Sequence, residues 1–323
     1  MKRYAVILAA GKGSRMKSKR EDISKVSMPI LGVPVVRYIL DALKPIGCEK
    51  MISVIGYGGK TSEPIVKKDS EVVWQKEQKG SGHAVMMAAP ILEGFEGETI
   101  VCCGDTPLLK TETLEEMFRF HEENKSDLTV MSFIPENPFG YGRIVKDKEG
   151  RFLRIVEQKD ASEEEKKIQE VNSGVYIFNN KELFESLKKI TTKNAAGEYY
   201  LTDVIDIFVK KGLRAFSYVV SDPTETMGIN DRVQLANAAK VLKLRINKKH
   251  MLVGVSIDDP ENTYISPYAQ IGADTIVHPN TFIYGNSVIG ENAELGPNCY
   301  LENVVVKDNE KVICSRMVGT KKE

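Results

Sequence analysis

Up to about Val220 the chain alternates short apolar runs with amphipathic stretches of helical period. Apolar runs at Tyr4–Ala9, Met51–Ile55, Val72–Trp74, Thr99–Cys103 and Leu128–Phe133 predict strands. Between them the spacing predicts helices over Val33–Leu43, His83–Leu92 and Thr113–Asn124. The last is opened by a capping box of Thr113 with Glu116, and a second box pairs Ser162 with Glu165. Such alternation implies an α/β fold: a Rossmann-like mixed, mostly parallel sheet with helices on both faces. Ligands of such sheets bind beyond the carboxyl ends of the strands. From Asn230 to Met251, Leu235, Ala239, Leu242 and Ile246 form a stripe with no Pro or Gly inside, which predicts one long connecting helix.

Beyond that helix the period becomes six. Ile265, Ile271, Val277, Ile283, Ile289, Leu295 and Leu301 fall at successive six-residue steps. Two positions before each stands a small residue: Thr263, Ala269, Thr275, Thr281, Ser287, Ala293 and Cys299. This is the hexapeptide signature of a parallel β-helix, with an aliphatic side chain filling each flat face from inside. The series breaks after Leu301, where Val304–Val306 fall out of phase. The expected organisation is a catalytic domain over 1–229, a connecting helix over 230–251, a short β-helix over 252–306 and a polar tail over 307–323.

The 323 residues carry 45 basic and 45 acidic side chains. A net charge of zero gives no electrostatic footprint for nucleic acid or an anionic membrane. No apolar run approaches the roughly 20 residues that span a bilayer. Cys48, Cys102, Cys103, Cys299 and Cys314 make no CxxC pair and have no His at ligand spacing. Reduced, buried thiols and a cytoplasmic location are therefore expected.

Three segments carry candidate chemistry. The first strand runs into Leu8-Ala9-Ala10-Gly11-Lys12-Gly13-Ser14-Arg15-Met16, where small residues let backbone N–H groups approach a phosphate or base. The loop lacks the Walker spacing, and Met16 occupies the third glycine position of a dinucleotide fingerprint. A tight turn needing positive φ is an equal reading of the glycines alone. Arg15 and Lys25 add cations nearby, although a lone cation is usually a solvated surface charge. In Cys103-Gly104-Asp105-Thr106-Pro107, a buried strand delivers a carboxylate suited to Mg²⁺ bound to phosphates; a turn-capping Asp before Pro107 is the alternative. In the third segment, Trp74 to Ala84, Gln75 can bond a base edge and the Gly80-Ser81-Gly82 loop opens a helix. His83 there reads as a polar group at a helix start rather than a general base.

In order along the chain stand LAAGKGSRM, SKVSMPILG with Lys25, WQKEQKGSGHA, CGDTPLL, GYGRIV, IVEQKDAS, EVNSGVY, NAAGEYYLTDV and GIND. With this set, residues 4–303 resemble the bacterial bifunctional N-acetylglucosamine-1-phosphate uridylyltransferase and glucosamine-1-phosphate acetyltransferase family. LAAGxGxRM alone marks the wider sugar-phosphate nucleotidyltransferases; GYGRI and EVNSG mark the narrower family. The resemblance implies that Leu8, Ala9, Ala10 and Gly11 hold the uridine and its phosphates, with Gln75, Gly80 and Ser81 at the uracil and Gly104 beside the nucleotide. It assigns Arg15 and Lys25 to charge compensation in catalysis, and Asp105 and Asn230 to Mg²⁺. Gly142, Glu157, Asn172, Tyr199 and Thr202 would hold the amino sugar, with its acetamido group toward Asn172. The eight residues between Met16 and Lys25 make a slightly longer loop than the family's, with its tip at 18–22.

The activity so implied is Mg²⁺-dependent uridylyl transfer from UTP to N-acetylglucosamine 1-phosphate, giving UDP-N-acetylglucosamine and pyrophosphate for cell-wall precursor synthesis. The family's acetyl transfer resides in a longer left-handed β-helix. By the family's three repeats per coil only about two coils fit here, so acetyl transfer is expected to be absent, with His278 not serving as its base. A homotrimer through the β-helix is expected in turn. The rivals are a nucleotidyltransferase for another sugar phosphate or for dTTP, a hexapeptide acyltransferase, and a non-catalytic nucleotide-sugar sensor.

Overall fold

The computed structural model describes residues 1–20, 22–194 and 196–320, so position 21 in the predicted loop tip and 321–323 at the end of the predicted tail lie outside it. The chain forms two compact units, one of residues 1–28 with 35–231 and one of 29–34 with 232 onward.

The first unit is built on a nine-stranded sheet. Its strands are β1 (Arg3–Ala9), β2 (Lys50–Ile55), β3 (Glu71–Trp74), β4 (Glu98–Cys103), β5 (Leu128–Phe133), β6 (Arg143–Lys146), β7 (Phe152–Val156), β8 (Val171–Asn179) and β9 (Ala215–Val219). The order is β9-β5-β8-β4-β1-β2-β3, and β6 pairs with both β8 and β7. The β1–β2, β1–β4, β2–β3 and β5–β9 pairs are parallel, whereas β8 runs antiparallel to β4, β5 and β6. The sheet is mixed and mostly parallel across its centre.

Strand β1 is apolar on both faces because both are covered. Tyr4 and Val6 join Ile52, Val54, Val101, Val130 and Phe178 in one core layer. Ala5, Ile7 and Ala9 join Ile55, Ile100, Cys102 and Met131 in the other. The helices over these layers are α1 (Val35–Leu43), α2 (Gly59–Val66), α3 (Ser81–Met86), α4 (Ala89–Leu92), α5 (Thr111–Glu123), α6 (Asn180–Leu187) and α7 (Thr202–Lys210).

Two expectations for these helices need correction. The helix predicted over His83–Leu92 is two, α3 and α4, since Pro90 lacks the N–H that would bond back one turn. The Thr113–Glu116 capping box does not form: α5 starts two residues earlier, after an extended Lys110, and Thr113 is buried in its first turn. The Ser162–Glu165 box does form, with Ser162 N and Oγ donating to Glu165 Oε2, but it opens only a single turn.

The second unit contains the long helix α8 (Arg232–Leu252) and a parallel β-helix. The buried side of α8 is Ala238, Leu242, Lys243, Ile246 and Asn247, so Leu235 and Ala239 of the predicted stripe are only half-buried. Three parallel sheets make the coils, two of four strands and one of three. The small residues of the repeat are all buried, and all its aliphatic residues but the half-buried Ile271 are too.

The coils extend further than the repeat suggested. Ile257 opens the first coil upstream of Ile265, pairing in register with Val277. Downstream, Val306, Val312 and Met317 stand in register with Ile289, Leu295 and Leu301. The stack therefore runs from Ser256 to Val318, more than three coils rather than about two, and Lys311–Val312 and Arg316–Val318 are strands within the predicted polar tail. After Leu301 the inward positions step by five, six and five, because turns are shortened there. The turn residues with left-handed backbone, Asn292, Asn298, Asn303, Asn309 and Cys314, change step with them. Asn tolerates that conformation better than other residues with a side chain. All five cysteines are free; Cys314 is exposed, and Cys48 and Cys103 are half-buried, against the expectation of burial throughout. Among the described residues no helix is long and apolar enough to cross a membrane.

Candidate active site

The sheet register brings the predicted loops together. Leu8 of β1 lies opposite Cys103 of β4, and Gly104 N donates to Leu8 O at 2.9 Å, so Asp105 emerges beside the glycine loop. On the other side, Ala9 lies opposite Ile55, and Ile55 opposite Trp74, which sets Gln75 at the end of β3. The carboxyl ends of β1, β3 and β4 thereby open onto a cavity of about 390 Å³. Leu8, Ala9, Ala10, Gly11, Gln75, Gly80, Ser81, Lys25 and Asp105 line it. Gly104 is not in the lining; it abuts the end of β1, where a Cβ would lie 3.1 Å from Leu8 O.

Asp105 and Asn230 share one cation. The Lys25 ammonium donates to Asp105 Oδ2 and, at 3.3 Å, to Asn230 Oδ1. Arg15, on the single turn Ser14–Met16, donates from Nη2 to the same Asn230 Oδ1 at 2.9 Å. Backbone bonding draws Asn230 in, since Ile229 N donates to Asp105 O at 2.9 Å. Cys103 also lines the cavity; burial, with the charge of Asp105, pushes its thiol up to about 12 and holds it protonated.

At the opposite end of the cavity Gln75 is buried, and its amide nitrogen donates to Gly80 O and to His83 Nδ1, both at 3.0 Å. His83 is thus fixed through one ring nitrogen by a neutral amide, which fits a structural role. Gly80 has φ 109°, and a Cβ there would meet Tyr199 O at 2.5 Å. Tyr199 N donates to Lys79 O and Tyr199 O accepts from Gly82 N, so Tyr199 braces this loop through its backbone. Ser81 Oγ already accepts from Leu201 N at 3.0 Å. Glu198, which sequence reasoning missed, lines the same end; it stands within the NAAGEYYLTDV segment, directly before the Tyr199 that was assigned to the sugar.

Gly142, Glu157 and Asn172 come together beside this cavity without lining it. A Cβ on Gly142 would lie 3.5 Å from Glu157 Oε1, and Asn172 N donates to Gly142 O at 2.8 Å. Burial, reinforced by Asp160 and Asp203, raises the Glu157 carboxyl above its ordinary range. Asn172 sits at a β-bulge of β8 and donates from Nδ2 to Tyr176 Oη at 2.7 Å. Thr202 is the first residue of α7, next to the Asp203 whose charge reaches Glu157.

Residues 4–223 match the family described as nucleotidyl transferase, and residues 268–303 match bacterial transferase hexapeptide (six repeats). Similar curated proteins are each called bifunctional protein GlmU. That of Geobacillus sp. (strain WCH70) is 47% identical over 303 residues, 94% of this chain and 65% of the relative. That of Lactobacillus johnsonii is 45% identical over 303 residues, 94% and 64% respectively. That of Streptococcus gordonii is 44% identical over 318 residues, 98% and 68%. The chain spans about 65% of the length of the first two.

Proposed function

Because the chain belongs to the nucleotidyl transferase family, in the branch of the bifunctional GlmU proteins, we propose that it transfers a uridylyl group from UTP to N-acetylglucosamine 1-phosphate. The phosphate oxygen of the sugar attacks the α-phosphorus of UTP in line, a new P–O bond forms, and pyrophosphate leaves. The product is UDP-N-acetylglucosamine, a cell-wall precursor made in the cytoplasm. The observation that carries this reading is the convergence of Lys25, Arg15, Asp105 and Asn230 at the phosphate end of a glycine-loop cavity.

Both partners are anions, so the barrier is largely repulsion and misalignment. Backbone N–H groups of the loop after β1 orient the triphosphate. Lys25 and Arg15 offset charge as it builds on the transferring phosphoryl group and on pyrophosphate. No protein nucleophile is needed, in keeping with a thiol held protonated at Cys103. Gly142, Glu157 and Asn172 position the sugar, with Tyr199 and Thr202 completing that wall. Gln75, Gly80 and Ser81 meet the base.

The donor set at Asp105 and Asn230 fits Mg²⁺. One carboxylate and one amide oxygen already converge on a single ammonium, and hard oxygen ligands shared with substrate phosphates are what Mg²⁺ takes. When bound, the ion would neutralise phosphate charge. A homotrimer through the coils belongs to the same proposal. Val288 and Val305, exposed and paired in register on one outer face, support it. In the coils, His278 is held by Asp258 and Glu294 through both ring nitrogens and is not proposed as an acetyl-transfer base.

The test is a panel of sugar 1-phosphates and nucleoside triphosphates with Mg²⁺, followed by pyrophosphate release. UTP with N-acetylglucosamine 1-phosphate should be fastest; a different best pair overturns the specificity. Asp105→Ala should lower kcat by about 100-fold or more, the scale of losing a charge-stabilising group. His83→Ala should change it far less, and equal losses would refute the assignment of both residues.

A further inference from the structure

Arg143 is among the largest fully buried side chains of the molecule, only 2% exposed, yet among the described residues no carboxylate lies within ion-pair distance of it. Its guanidinium has neutral partners alone. Nη1 donates to Tyr141 O, Nη2 donates to Gln158 Oε1 at 2.7 Å, and Nε has no acceptor. Arginine cannot shed its proton to escape such a site, so burying it without a counter-charge is costly and demands a reason.

Its place in the sheet supplies one. Arg143 is the register point at which three strands meet, opposite Val156 of β7 on one side and Val171 of β8 on the other. Three of the five residues assigned to the sugar are the sequence neighbours of these three positions: Gly142, Glu157 and Asn172. The bonds of the guanidinium reach both loops that carry the first two. The Tyr141 carbonyl belongs to the peptide that joins Tyr141 to Gly142, so gripping it fixes the orientation of that peptide. Gln158 follows Glu157, and its Oε1 also accepts from Gly140 N at 3.1 Å, which ties the loop before β6 to the turn after β7. The fixed fork of arginine spans these two acceptors, where a lysine presents a single point charge.

We propose that Arg143 is the positioning residue of the sugar subsite. It is a buried clamp that sets the separation of Gly142 and Glu157 and so governs affinity for the sugar phosphate without touching the nucleotide. The proposal rests on the assignment of Gly142, Glu157 and Asn172 to the sugar. Steady-state kinetics of the full chain with UTP and N-acetylglucosamine 1-phosphate test it through Arg143→Lys and Arg143→Met. KM for the sugar phosphate should rise about tenfold or more, as for a lost hydrogen bond to a charged group, while KM for UTP stays within about twofold. An unchanged sugar KM in folded variants, or equal rises in both KM values, overturns the proposal. If neither variant folds, Gln158→Ala decides, since it cuts the same tether from the other side; the same split must appear, and its absence is a refutation. Glu157→Gln and Asn172→Ala are run in parallel. If they too leave the sugar KM unchanged, the subsite assignment has failed; if they raise it and the Arg143 variants do not, only the clamp has.

Discussion

Gly11 and Gly80 face the same cavity but owe their identity to different causes, and alanine at each separates them. A Cβ at Gly11 would meet nothing within 4 Å in the free protein, and its backbone lies outside the left-handed region. Gly80 has φ 109°, and its Cβ would press on the Tyr199 backbone at 2.5 and 2.9 Å. Gly11→Ala should therefore leave the melting temperature within about a degree while weakening UTP binding, because only a bound ligand competes for that space. Gly80→Ala should lower stability by about 1–2 kcal/mol or more and weaken UTP as well. Thermal melting with and without UTP distinguishes the two; a Gly11→Ala protein that binds UTP normally would remove that glycine from the site. The ammonium of Lys25 follows similar logic. It bridges Asp105 and Asn230 in the free protein and must share or yield those oxygens to any metal that binds there.

At the scale of elements, the coils carry a charged ladder with its own pH dependence. His278 Nδ1 lies 2.6 Å from Asp258 Oδ2 and Nε2 lies 3.2 Å from Glu294 Oε1, while Lys311 reaches Glu294 Oε2 at 2.5 Å. The two carboxylates hold the imidazole above its ordinary range. A folded value raised above the unfolded one means the contribution is fully present below about pH 6.5 and is lost as pH rises through the folded value. The β-helix should thus melt at higher temperature at pH 6 than at pH 8.5. A difference of about 1–5 °C is expected, since such partly exposed pairs contribute no more than about 1 kcal/mol. His278→Gln should flatten the profile, and parallel profiles for the two proteins would dismiss the ladder. The same coils show where an element's extent is hidden in a sequence. Leu128–Phe133 was legible to the residue, because a strand buried on both faces carries apolar side chains on each, here broken only by the buried hydroxyls of Thr129 and Ser132. The coils past Leu301 were not, because a strict six-residue search loses phase once a turn is shortened, though Asn298, Asn303 and Asn309 track the change. Pro90 could have divided the second helix on sequence alone.

Across the whole molecule, every residue assigned to uridylyl transfer, from Leu8 to Asn230, belongs to the unit of residues 1–28 and 35–231. The convergence of the residues proposed for the nucleotide on one cavity was readable because they follow their strands in contiguous motifs, and β1 and β4 are parallel neighbours. Glu198 and the clamp at Arg143 were not, because their settings arise only where segments distant in sequence meet. This division makes a prediction about Leu301, which is fully buried inside the coils and registers with Ile283 below and Met317 above. Leu301→Ala removes three carbons from a packed interior, a change that typically costs about 2–5 kcal/mol. It should lower the melting transition of the coils by that amount while kcat and both KM values stay within about twofold, since every residue assigned to the site belongs to the first unit. Calorimetry beside pyrophosphate-release kinetics on one preparation makes the comparison. Kinetic constants that decline in step with the melting temperature, measured well below it, would mean that the coils shape the site as well as flank it in sequence.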